Sequence, residues 1–148
     1  MATYDVTGPG GTNRPSRRNP GVRVPYLVEN TIDISAINSN SGTANGDVVQ
    51  ALDIPAETLI MEAGIEVITA LSSSATMDLG ITGGDVDRYV DGDTNATGFS
   101  TLTATARTIV ASADTLDILT AGADSSAGKV RVFAVLCDIS GVDETDHN

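Results

Sequence analysis

The residues best spaced for chemistry lie between Gly83 and Asp93, where Asp85, Asp87, Asp91 and Asp93 fall within nine positions. Hard oxygen ligands at that density could hold Ca²⁺. An EF-hand loop begun at Asp85 needs an oxygen donor at position 89 and a glutamate at 96, and the chain has Tyr89 and Ala96 there. That motif fails. The segment reads instead as a solvated strand–turn–strand whose carboxylates cap turns while Tyr89 and Val90 pack inward. No metal and no cofactor is expected, these four aspartates being the candidate set if one is bound.

The nucleophiles are few. Cys137 is the single cysteine and sits in an apolar run beside Leu136, so it reads as an inert buried thiol. It also excludes an intrachain disulfide framework and a multi-cysteine zinc site. His147, the only histidine, lies in a polar terminal stretch, which leaves no Ser-His-Asp or Cys-His arrangement on a rigid element. Pairs of carboxylates suited to glycoside hydrolysis occur simply because acids are abundant. Aromatics to line a sugar cleft are scarce: Tyr4, Tyr26, Tyr89, Phe99 and Phe133 are all the chain has. A hydrolase working through Asp85, Asp87 and Asp91 is the remaining enzymatic reading, and the expectation is no enzyme. Asn95, Ala96 and Thr97 match a glycosylation acceptor, which carries little meaning where no signal peptide is expected.

The elements that would position such groups are legible in composition. The 148 residues suit one domain, and Val, Ile, Leu and Phe total 36 of them. At roughly 1.5–3 kcal/mol per buried side chain this permits a core, one that oligomerisation would reinforce. No stretch approaches 18 apolar residues, and the first residues show no apolar signal core, so neither a membrane span nor a secretory leader is expected.

The net charge of −12 is unevenly distributed. Residues 1–23 hold Arg14, Arg17, Arg18 and Arg23 against Asp5 alone, a net of +3, whereas residues 24–148 set four bases against 19 acids. A body of that sign repels nucleic acid and anionic membranes, so neither is an expected partner. The same basic stretch holds Pro9, Pro15, Pro20 and Pro25 with Gly8, Gly10, Gly11 and Gly21. Missing donors and added chain entropy exclude helix and central strand there. Residues 1–25 therefore read either as a disordered leader or as an extended arm that orders across a neighbour.

After Pro25 the texture is short β-branched runs between Gly, Asn, Asp and Ser clusters. The pattern predicts strands over 26–36, over 47–54 to Pro55, at 59–61, over 65–71 after a turn at Ala63–Gly64, over 77–81, and over 115–119. The stretch 100–111 could be a strand or a short helix. The run 129–139 is nearly apolar on both faces, as for a central strand. About eight short strands without a long helix predict an all-β fold: a β-sandwich, jelly-roll-like, spanning 26–141, with an extended N-terminal arm (1–25) and an acidic polar tail (142–148). A weak internal echo relates Thr31–Ile34, Gly46 and Leu52–Ile54 to Thr115–Ile118, Gly128 and Cys137–Ile139. Shared hairpin chemistry explains it as well as a structural repeat does.

Three stretches look like small tailed-phage virion proteins: Ala75 to Gly92, Ala113 to Ile118, and Gly128 to Leu136 with the Cys137–Ile139 ending. Over most of 30–140 the chain resembles capsid decoration (cement) proteins of cyanophage and marine-phage type. The resemblance implies a non-enzymatic β-sandwich or jelly roll, a homo-oligomer and often a trimer, seated on the phage major capsid protein at the outer surface of the capsid. It further implies that an extended terminal arm clamps neighbouring subunits. Here Arg14, Arg17, Arg18 and Arg23 would make charge-assisted hydrogen bonds to capsid carboxylates. The alternative is a head-fibre, tail or baseplate component contacting host surface glycans.

Overall fold

Ten strands form two layers in the computed structural model, which describes residues 1–5, 24–93, 96–101 and 107–140. They are β1 (Thr3–Asp5), β2 (Tyr26–Asp33), β3 (Val48–Ile54), β4 (Thr58–Thr69), β5 (Thr76–Ile81), β6 (Val90–Asp93), β7 (Gly98–Thr101), β8 (Thr108–Val110), β9 (Asp114–Ala121) and β10 (Lys129–Asp138). Sheet A has the order β1-β3-β9-β5-β6; sheet B has β2-β10-β4-β7, with β8 also paired to β4. Every pairing is antiparallel except β1 with β3.

The period-two pattern explains the layers. In β10, Val130, Val132, Ala134 and Leu136 are buried, while Lys129, Arg131, Phe133 and Val135 alternate on the opposite, half-buried side. Leu116 and Ile118 of β9, Met77 and Leu79 of β5, and Val49, Leu52 and Ile54 of β3 face them across the sandwich in one continuous core. Each such fully buried side chain contributes about 1.5–3 kcal/mol.

Three local readings change. No turn forms at Ala63–Gly64: β4 runs unbroken for 12 residues, because Ala63 and Gly64 pair with Ala134 and Phe133 of β10. Cross-strand partners, invisible in a local window, override the small-residue signal. Ile34 leaves the strand for a short 3₁₀ turn (Ile34–Ala36), where the Asp33 carboxylate accepts from the Ser35 backbone N–H at 3.0 Å and Ile34 is fully buried. The run 129–139 is a central strand as expected, lying between β2 and β4, but only one of its apolar faces is core and the other is half-buried. Of the stretch 100–111, Thr108–Val110 is strand and residues 102–106 lie outside the described residues.

The loops 34–47, 70–75 and 122–128 knit together at one end. The Ile34 N–H donates to the Gly128 carbonyl (2.9 Å) and Ser72 N–H to Ala127 (3.1 Å), while Thr43 and Ser125 exchange both backbone bonds. Ser125 is 1% exposed, and its hydroxyl donates to the Ala127 carbonyl. Gly42, at φ +81°, lies so close that a Cβ there would stand 2.0 Å from the Ser125 carbonyl oxygen.

Candidate interaction site

Two surfaces collect the chain's polar chemistry. The first is the outer face of sheet A. Its strands carry Asp5, Asp53, Asp78, Asp91, Asp114 and Asp117 and no lysine or arginine. Asp117 accepts from the hydroxyls of Thr82 (2.5 Å) and Thr115 (2.6 Å), yet burial raises its pKa above the usual carboxylate range. Asp78 accepts from the Gly92 N–H at 2.6 Å; burial raises it too, with Asp91 and Asp87 adding like-charge repulsion.

The segment 82–89 is laid against this face. Tyr89 N–H donates to the Leu79 carbonyl (2.8 Å), and the Ile81 N–H reaches the Asp85 carbonyl (3.4 Å). Gly80 makes room: a Cβ there would sit 2.1 Å from the Asp85 carbonyl oxygen. Tyr89 and Val90 are buried at the end of the segment, whereas Val86 is exposed. Arg88 Nε donates to Thr108 Oγ1 at 2.6 Å, tying the segment to β8 of the other sheet.

The four aspartates singled out from sequence are therefore dispersed over turn and strand. Asp85 shares a hydrogen bond with Asp87, which raises its pKa; Asp91 and Asp87 lie near Asp78. Among the described residues no three His, Cys, Asp or Glu side chains converge as a metal would need. Asp78 was missed because a lone aspartate in a strand carries no local signal; its role depends on β6 arriving beside it. Cys137 is buried, with its thiol 3.8 Å from the Asp138 carbonyl oxygen. Arg14, Arg17, Arg18, Arg23 and His147 lie outside the described residues.

The second surface is a seat on the β3 edge. Asp47, only 4% exposed, accepts from the backbone N–H of Ala2 (2.7 Å) through Oδ1 and of Ala44 (2.9 Å) through Oδ2. Burial pushes its pKa up, but these two bonds, the Tyr4 hydroxyl and the N-terminal ammonium outweigh it and leave the pKa lowered. Val48 N–H donates to the Ala2 carbonyl at 2.7 Å, and Thr3, Tyr4 and Asp5 pair in register with Val48, Val49 and Gln50. Tyr4 packs on the core. Residues 1–5 thus add a parallel strand to sheet A.

No protein-family model matches the sequence, and no curated protein does. Solved structures do. A chain of the Cyanophage Pam1 capsid asymmetric unit superposes with a TM-score of 0.60 at 15% identity, over 83% of this chain and 98% of that one. The chain shares its fold with components of phage capsids. A chain from the capsid of Ralstonia phage GP4 gives 0.58 at 19% identity, over 84% and 90%. One from the acidic stable capsid structure of Helicobacter pylori bacteriophage KHP30 gives 0.56 at 13%, over 78% and 90%. At these identities the likeness establishes the fold alone.

Proposed function

We propose that this protein is a structural, non-enzymatic component of a phage virion: a jelly-roll body that decorates the capsid's outer surface, binds the major capsid protein and stabilises the shell. The observation that carries the reading is the fold shared with capsid chains over nearly their whole length, 90–98% of each. The facing orders β2-β10-β4-β7 and β3-β9-β5-β6 support it, being the nested arrangement of a jelly roll. The acidic face of sheet A disfavours nucleic acid as a partner. The basic residues 14–23 favour carboxylates on a protein partner, to which arginine forks bind bidentately. A homo-oligomer, with a trimer preferred, completes the proposal.

Cryo-EM of the virion and co-sedimentation with purified heads test it. The protein is expected as density on the capsid exterior. Replacing Arg14, Arg17, Arg18 and Arg23 with serine is expected to weaken head binding at least about tenfold, with an unchanged melting midpoint. Saturation of heads by that variant at unchanged affinity overturns the clamp. Density on the tail or baseplate overturns decoration and favours the host-glycan reading.

A further inference from the structure

Strand β1 meets the sandwich through β3, in the only parallel pairing among the described strands. Its seat is specific. Asp47 accepts from the Ala2 N–H, the Val48 N–H donates to the Ala2 carbonyl, and Tyr4 packs against the core. Between β1 and β2 lies a groove of about 520 Å³, walled by Tyr4 and Asp5 on one side and by Asn30, Asp33, Ala36 and Asn38 on the other. The two neighbouring edges are thus parted rather than zipped together.

The connection that leads out of this seat is much longer than another crossing between the same two sheets. From Ile54 in sheet A to Thr58 in sheet B the chain crosses the sandwich with Pro55, Ala56 and Glu57 alone. From Asp5 in sheet A to Tyr26 in sheet B it uses residues 6–25. The layers of a sandwich are only about 10 Å apart. A Pro-rich connection of that length can reach on the order of 60 Å, against a radius of gyration of about 15 Å for a domain this size. Loop-closure entropy rises slowly with length, so filling a neighbour's seat costs little more than filling its own once copies are close.

We propose that β1 is an exchanged strand: the β3 edge of one copy accepts residues 2–5 of a second copy, and Asp47 is the acceptor that fixes their register. The exchange links copies by main-chain hydrogen bonds and requires no capsid partner, so it stands or falls apart from the virion reading.

The test is mixed cross-linking on the full chain. Thr3 and Val48 are register partners. One chain carries Thr3→Cys and another Val48→Cys, with Cys137→Ala in both and circular dichroism checking that each folds. The two are unfolded together in denaturant, refolded as an equimolar mixture at high concentration, and treated with a short bismaleimide. Exchange predicts a covalent dimer on a denaturing gel that takes up about half of the Val48→Cys chains, and no dimer from either chain alone. A chain carrying both substitutions then yields a ladder of linked oligomers. A monomer-sized intrachain link from that chain, with no dimer from the mixture, overturns the proposal. Absence of any link overturns it as well, because the seat is then not filled by β1.

Discussion

The two outer faces of the sandwich rest on the same inner alternation but differ in what they turn outward. Sheet A presents aspartates without a cation, and burial holds Asp78 and Asp117 above their ordinary pKa. Sheet B pairs the cations it carries: Arg131 sits between Glu66 (2.6 Å) and Glu29 (3.6 Å), and Lys129 lies 3.9 Å from Asp33. The same sheet also exposes apolar side chains, with Leu27 60% exposed beside Val135, and Ile109 64% exposed beside Leu59. One face is therefore under like-charge and desolvation strain that protons relieve, and the other is held by paired charges that salt screens.

The largest test of this contrast is Gly80→Ala. The new methyl collides with the Asp85 and Val86 backbone that covers sheet A, and an expected loss of about 3 kcal/mol is read by denaturant unfolding. Next is Asp47→Ala, which leaves the Ala2 and Ala44 N–H groups without their acceptor. About 2 kcal/mol should be lost, together with hydrogen-exchange protection at Val48.

The response to pH separates the faces by sign. Asp78, Asp85 and Asp117 have raised pKa values in the folded state, so the fold binds their protons before the unfolded chain does. Stability rises as pH falls from neutral through those folded values, until the unfolded value of 3.8 is reached. Asp33, lowered chiefly by the Ser35 hydroxyl, and Asp47 act oppositely. Their contribution is present above 3.8 and is lost as pH falls through their lowered folded values. The melting midpoint should thus be higher at pH 5 than at pH 7, and Asp117→Asn should shrink the difference; a midpoint that falls between pH 7 and pH 5 breaks the contrast. The smallest effect is expected from Arg131→Met on sheet B. Its half-exposed ion pairs should contribute no more than about 1 kcal/mol, a difference that fades in high salt.

Much of the fold was legible because alternation is local. Met77 with Leu79 and Leu116 with Ile118 announce their buried face by spacing alone, whereas the run from Val130 to Leu136, apolar at nearly every position, does not. The internal echo has a structural counterpart of a particular kind. Its four strands pair with one another, β2 with β10 and β3 with β9, and the two loops meet at Thr43 and Ser125. Similar punctuation thus marks two crossings of the sandwich that lie side by side. Less of the site was legible. Asp78, Asp117 and Asp47 look like any other acid in the chain, and each acquires its chemistry from residues brought in from elsewhere: Gly92, Thr82 and Ala2.

The order of side chains alone determined the strand-rich texture, the inward-facing residues and the separation of a basic first segment from an acidic body. Side-chain period and net charge need no partner to be defined. Only the tertiary structure decided which strands are neighbours, that Ala2 reaches Asp47 across 45 positions, and which carboxylates are desolvated. Strand pairing closes distant loops, and the free energy of a buried polar group depends on what lies beside it once they have closed.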